Sequence, residues 1–252
     1  MPEGKYLYCI IKERGPRKFN ILGQEEKGVY TINEGGLAVT VSDASQEEYS
    51  FIKENLTCHQ KVIEGIMKEG YDVLPVRFGT VAKSAEDIRE KILKAKRKEL
   101  LETFPIVEGR IELGLRALWK DMPSIFQGIL RDYPEIQRAK REAQKNPFQL
   151  KVASVGELVQ KALDAERERE AQKIISPLKK LAVDLKEREL LRSRDVMRDS
   201  MILSSAFLVP KKNEEEFDKR VEALIKEYEE RIKFIYIGPI PPFNFVELHL
   251  II

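Results

Sequence analysis

The sequence predicts an α+β protein: a ferredoxin-like domain over residues 1–120, a helical connector over 121–153, and a helical plus α+β domain over 154–252. Three observations carry this. Short apolar runs alternate in period two near both ends of the chain, as half-buried strands do. Between them the apolar spacing switches to three and four, the period of a helix. In the first half the order is strand, hairpin, helix, strand, helix, strand, which fits helices on one face of a mainly antiparallel sheet.

Tyr6 to Ile11 is the first predicted strand, stopped by Gly15-Pro16. Val29 to Ile32 and Leu37 to Val41 flank the turn cluster Asn33-Glu34-Gly35-Gly36 and form a hairpin. A helix follows over Gln46 to Lys68, with Ser45 as its cap and Gly70 as its end. Val73 to Phe78 is a strand whose Pro75 cannot donate to a ladder, so it belongs at an edge or a bulge. Ser84 and Asp87 open a helix with Ile88, Ile92, Leu93 and Leu100 on its face. Ile111, Leu113, Leu115, Ala117 and Trp119 alternate along a further strand.

Asp121 with Pro123, and then Pro134, open two short connector helices that Pro147 stops. Ser154 and Glu157 make a capping box for a longer helix. That helix crosses the polar run Asp164 to Glu170 as a solvated face or a projecting arm, and kinks or breaks at Pro177. Met201 to Val209 is apolar on both faces, hence a central strand. Asn213 caps a helix bearing Phe217, Val221, Leu224, Ile225 and Tyr228. Ile232 to Ile237 is a strand broken by Gly238-Pro239-Ile240-Pro241-Pro242, and Phe245 to Ile251 a last strand.

Composition excludes several classes. Lys and Arg total 44 against 42 Asp and Glu, a net charge of +2, which suits neither a nucleic-acid coat nor an anionic-membrane binder. The 34% charged fraction is high, yet 42% hydrophobic content argues for a folded core. Two cysteines support no disulfide framework. No membrane span or signal segment is expected, so a soluble cytoplasmic protein is.

Catalytic signatures are missing: no phosphate-cradling glycine loop, no C-x-x-C, no H-E-x-x-H. Cys58 and His59 are adjacent, and helical neighbours point about 100° apart, so they form no nucleophile-base pair. Neither a cofactor nor a metal is called for. Arg77 stands out within an apolar strand, and an Arg77–Glu112 pair across the sheet is expected, with Glu108 as substitute. Leu7-Tyr8-Cys9-Ile10 has a passing likeness to an RNA-binding strand, which makes an RNA-binding ferredoxin-like module the alternative from another class.

Leu74-Pro75-Val76-Arg77-Phe78-Gly79-Thr80-Val81 resembles the most recognisable stretch of the gas vesicle protein F and L family (GvpF/GvpL). Tyr6 to Ile10, His59 and Gly109-Arg110-Ile111-Glu112 match as well. Ala206 to Val209 and Gly238 to Val246 resemble the family's closing pattern, with Ile240 and Phe243 where it usually carries Trp and Tyr. The likeness runs in order from Tyr6 to Val246 and thins over about 121–194, apart from Val155 to Val159. It implies a ferredoxin-like first domain and a second with a coiled-coil-like helical part. It also implies a non-enzymatic, cytoplasmic, vesicle-associated accessory protein of gas vesicle formation. Its partners would be the hydrophobic shell protein (GvpA-type) and other vesicle accessory proteins, with no nucleic acid and no membrane. A minor structural part of the shell is the alternative role. The partner-binding or structural residues singled out are His59, Arg77, Phe78, Gly79, Thr80 and Glu112, then Gly238, Pro239, Pro241, Pro242, Phe243 and Phe245 near the end.

Overall fold

The computed structural model describes residues 4–45, 47–145, 149–187 and 200–250. The predicted roles of Gln46, Pro147 and Ile251 lie outside the described residues. The chain divides into two compact units, one of residues 1–112, 208–211 and 238–252, the other of 113–207 and 212–237.

The first unit holds β1 (Gly4–Ile11), β2 (Lys18–Leu22), β3 (Gly28–Glu34), β4 (Leu37–Ala44), α1 (Lys53–Lys68), β5 (Leu74–Pro75) and β6 (Val81–Ala82). A short turn, α2 (Ala85–Asp87), runs on as a π-helical stretch, Ile88–Lys94, before α3 (Arg97–Val107). The sheet order is β2-β3-β4-β1-β5, with β6 also on β1, and the pairings are antiparallel. β5 is therefore an edge strand, where Pro75 leaves no ladder donor missing.

Every residue from Tyr6 to Ile11 is fully buried, because the sheet is covered on both faces. Leu7 and Ile10 meet Ile88, Ile92, Leu100 and Phe104, while Tyr6, Tyr8, Cys9 and Ile11 meet Val62, Ile63 and Ile66 of α1. A bulge between Leu7 and Cys9 turns Tyr8 and Cys9 to the same side. This corrects two expectations. The helices lie on both faces of the sheet instead of one, and no base could stack on the β1 rings, which removes the basis of the RNA reading.

A ferredoxin-like strand order is seen in the other sheet, built from β7 (Arg110–Trp119), β8 (Asp184–Glu187), β9 (Met201–Pro210) and β10 (Ile232–Ile240). Helices α4 (Met122–Asp132), α5 (Pro134–Lys145) and α6 (Gln149–Lys179) separate β7 from β8, and α7 (Glu214–Glu227) separates β9 from β10. Its order is β10-β7-β9-β8: fourth, first, third, second. Four strands precede α1 in the first unit, so no strand-helix-strand crossover opens it, whereas helices fill both crossovers here. The apolar strand β9 is central, as its two buried faces require.

Several boundaries differ from expectation. α1 starts at Lys53, and the Ser45 hydroxyl donates to the Glu25 carboxylate instead of capping it. Ser154 lies within α6, which also runs through Pro177. Asn213 donates to the Leu181 carbonyl at 3.0 Å and caps nothing with its side chain. β10 continues through Gly238-Pro239 to Ile240, as an edge strand can. Phe245 to Leu250 forms no strand; Val246, Leu248 and Leu250 pack against the first unit's core.

Candidate functional site

The motif residues of the first unit converge on one buried polar network. Tyr6 on β1 donates its hydroxyl proton to Nδ1 of His59 on α1 at 3.0 Å. His59 donates from Nε2 to the Val76 carbonyl at 3.1 Å. The same Tyr6 oxygen accepts the Gly79 N–H at 3.1 Å. A single neutral tautomer satisfies all three bonds. Burial drives His59 down to about 4, outweighing its bond to Val76, so the ring stays neutral at physiological pH. Burial pushes Tyr6 up to about 12, against the opposing pull of the Gly79 N–H.

These bonds fix the loop between β5 and β6. The Val76 N–H donates to the Tyr8 carbonyl at 2.9 Å, and the Leu7 N–H to the Thr80 carbonyl at 3.0 Å. Thr80 Oγ1 closes the turn on the Arg77 carbonyl at 2.7 Å. Gly79 turns the chain at φ +79°, a left-handed conformation that glycine adopts without a steric penalty.

The fixed loop presents two side chains outward. Arg77 is exposed, and Phe78 lies half-buried with its ring 5.0 Å from that of Phe51 and 5.7 Å from His59. Phe51 itself is 72% exposed, far more than an isolated core-forming ring tolerates, and its neighbour Ile52 is exposed as well. Arg77, Phe51, Phe78, Thr80 and Leu250 line an open groove of about 780 Å³. Phe243 also lies beside His59, with ring centroids 6.3 Å apart.

The expected Arg77–Glu112 pair does not form. Glu112 is buried, and its carboxylate accepts the Asn244 backbone N–H at 2.9 Å together with the Asn244 side-chain amide. Glu112 thus anchors the closing segment. Glu108 is also engaged elsewhere, with Lys12. In that closing segment the Phe243 N–H donates to the Pro241 carbonyl at 2.7 Å, and the Phe245 and Val246 N–H groups share the Pro242 carbonyl at 3.1 Å. Phe245 is buried, whereas Phe243 is partly open to solvent. Gly238 and Pro239 are exposed at the end of β10. Sequence reasoning missed Tyr6, Asn244 and Phe51. A tyrosine inside an apolar strand signals a buried hydroxyl that needs a partner, so Tyr6 was recoverable.

Cys58 lines a shallow hollow with Leu22, Lys53 and Lys61; burial raises its thiol. Among the described residues no group of His, Cys, Asp and Glu could hold a metal ion, and no helix is long and apolar enough to cross a membrane.

Residues 4–247 match the family model of the gas vesicle synthesis protein GvpL/GvpF. Gas vesicle protein F of Microcystis aeruginosa is 29% identical over 251 residues, covering 98% of this chain and 100% of that protein. The crystal structure of gas vesicle protein GvpF from Anabaena sp. PCC7120 has a TM-score of 0.82 at 28% identity, covering 98% of this chain and 97% of that one. That of GvpF from Microcystis aeruginosa has a TM-score of 0.83 at 26% identity, covering 97% and 99%. The chain belongs to the GvpL/GvpF family of gas vesicle synthesis proteins, and its role is that of a non-enzymatic accessory protein of gas vesicle formation.

Proposed function

We propose that this protein binds the hydrophobic shell protein before or during vesicle assembly, through the exposed aromatic surface around Phe51 and Phe78. A shell that excludes water from its interior needs subunits with large apolar faces, and unassembled faces of that kind aggregate. The observation that supports the reading is an exposed ring, Phe51, packed against Phe78, which sits on a loop held by the Tyr6–His59 network. A rigid mount lowers the ordering cost of binding, and exposed rings contribute large contact area. Arg77 adds an exposed cation to the same groove. Phe243 is the second contact, anchored through Asn244 and Glu112. Association with the vesicle follows from this binding.

Co-expression of the chain with the shell protein tests the reading, with soluble, co-purifying shell protein as the readout. Retention is expected with the natural chain. It should fall with Phe51→Ser and with Arg77→Ala, both surface changes that leave the core intact. Undiminished retention by both variants counts against this surface. A chain that survives washing of purified vesicles with denaturant would favour a permanent shell component over an assembly factor.

A further inference from the structure

The closing segment of the first unit is held firmly at its start and loosely at its end. At the start, Pro241 and Pro242 are buried, and Asn244 is fixed to the Glu112 carboxylate through its backbone N–H at 2.9 Å and its side-chain amide. The Phe245 and Val246 N–H groups share the Pro242 carbonyl. Beyond Val246 such bonds cease. Among the described residues, Glu247, Leu248, His249 and Leu250 make no hydrogen bond or ion pair, by backbone or by side chain. Yet their sequence is a strand's, with Val246, Leu248 and Leu250 alternating with Glu247 and His249. The three apolar side chains pack on the core cluster that contains Val76, Ala82 and Ile88, while Glu247 and His249 are exposed. No ladder takes up the backbone of 247–250, so water does. Leu248 and Leu250, both only half-buried, are what hold it down. A stretch with few buried contacts and a solvated backbone opens at low cost.

This loose stretch borders the aromatic surface. Leu250 lines the groove formed by Arg77, Phe51, Phe78 and Thr80. Val76 and Ala82 flank the loop that carries Arg77 and Phe78, and both belong to the cluster on which Leu248 and Leu250 lie. Lifting residues 247–250 therefore widens the aromatic groove and joins it to a newly uncovered apolar strip.

We propose that residues 247–250 are a strap, hinged after Val246, that competes with the apolar face of the shell protein for this surface, which rests on the binding reading above and adds its regulation. The strap itself reports what the surface accepts: apolar side chains at alternate positions, with polar ones turned to water. With the strap down, a partner meets only the open part of the groove. With the strap lifted, it gains the strip beneath. The apparent affinity is lowered by the fraction of chains whose strap is down, and the covered strip is kept from other apolar surfaces until the partner arrives.

The test co-expresses the shell protein with the full chain, with the double variant Leu248→Ser and Leu250→Ser, and with the milder Leu250→Ala. Soluble, co-purifying shell protein should rise roughly threefold in the double variant and less in Leu250→Ala. Adding Phe51→Ser to the double variant should cancel the rise. A second readout leaves the strap's leucines in place. A spin label on His249→Cys, with Cys58→Ser so that buried Cys9 is the other thiol, should change from a restrained to a mobile spectrum in the complex. The label reads the strap even where the double serine variant folds poorly. Unchanged or lower retention in both loosened variants, or an unchanged label spectrum in the complex, overturns the strap and leaves the aromatic surface as the binding site. A rise that survives Phe51→Ser is general stickiness of uncovered core and overturns the strap too. No retention by any chain overturns the binding reading and the strap together. A dimer of the natural chain that the double variant dissolves assigns the segment to exchange between copies, and also overturns the proposal.

Discussion

The two units each bury a polar cluster beside an aromatic ring, and they do so by opposite means. In the first, Tyr6, His59 and the backbone of Val76 and Gly79 form a neutral network with donors and acceptors matched one to one. In the second, the cluster is ionic. Glu170 accepts the Trp119 Nε1 proton at 3.1 Å and lies 3.1 Å from Arg231. Arg231 also meets Glu166 at 3.1 Å, and Arg169 pairs with Glu166 as well. Arg167 lies over the Trp119 ring at 5.6 Å and donates to the Met201 carbonyl at 2.9 Å. A neutral network resists salt but fails when its one titratable ring gains a proton. An ionic network tolerates mild acid but depends on each partner's presence, because a buried charge left alone is costly.

That contrast can be broken most forcefully in the second unit. Arg231→Met leaves Glu170 buried without its ion-pair partner and Glu166 with Arg169 alone, and should destabilise the protein by about 3 kcal/mol or more in urea unfolding. A loss under 1 kcal/mol would mean that water already screens the cluster.

The next largest effect is the pH dependence of the neutral network. His59 titrates near 4 when folded against 6.5 when unfolded, so the unfolded chain takes the proton first. Its contribution is fully present above pH 6.5, declines as pH falls, and amounts to a loss of about 3 kcal/mol below pH 4. The difference in stability between the natural chain and His59→Gln, followed from pH 7 to pH 4, isolates that term. Parallel curves for the two proteins would remove His59 as its source.

Tyr6→Phe sharpens the point at constant pH. It strands His59 Nδ1 and the Gly79 N–H, and about 2 kcal/mol should be lost, with less soluble shell protein in co-expression if the loop mount matters. The smallest effect carries the opposite sign. The Ser205 hydroxyl is buried in β9 with no hydrogen-bond partner among the described residues, so Ser205→Ala should stabilise by up to about 1 kcal/mol, readable as a rise in Tm. A fall instead would reveal a partner for that hydroxyl.

Much of the first unit was legible because local rules decide it. The Tyr6 strand, the Gly35-Gly36 turn, the Ser84 cap and the edge position of the Pro75 strand follow from periodicity, positive-φ residues and a missing donor. The Ser84 cap is present as expected, with the Asp87 N–H on its hydroxyl at 3.1 Å. The polar run Asp164 to Glu170 was misread for the converse reason. Charged residues at helical spacing look the same whether water or Arg231 and Trp119 faces them, and those partners are 51 to 65 positions away in sequence. The Arg77–Glu112 pairing failed likewise: opposite charges in two strands say nothing of which third segment arrives first, and Asn244 did.

By itself the sequence determined the α+β class, the central position of the Met201 strand and, through two motif stretches in order, membership of the gas vesicle family. These rest on spacing and residue type within a few neighbours, where chain stereochemistry leaves few choices. Only the tertiary structure decided that the second sheet takes a ferredoxin-like order, that helices cover both faces of the first sheet, and that His59 serves Tyr6 and Val76 while Glu112 serves Asn244. Those outcomes depend on long-range packing, in which every buried polar atom must be matched, and the match is available only once distant segments have met.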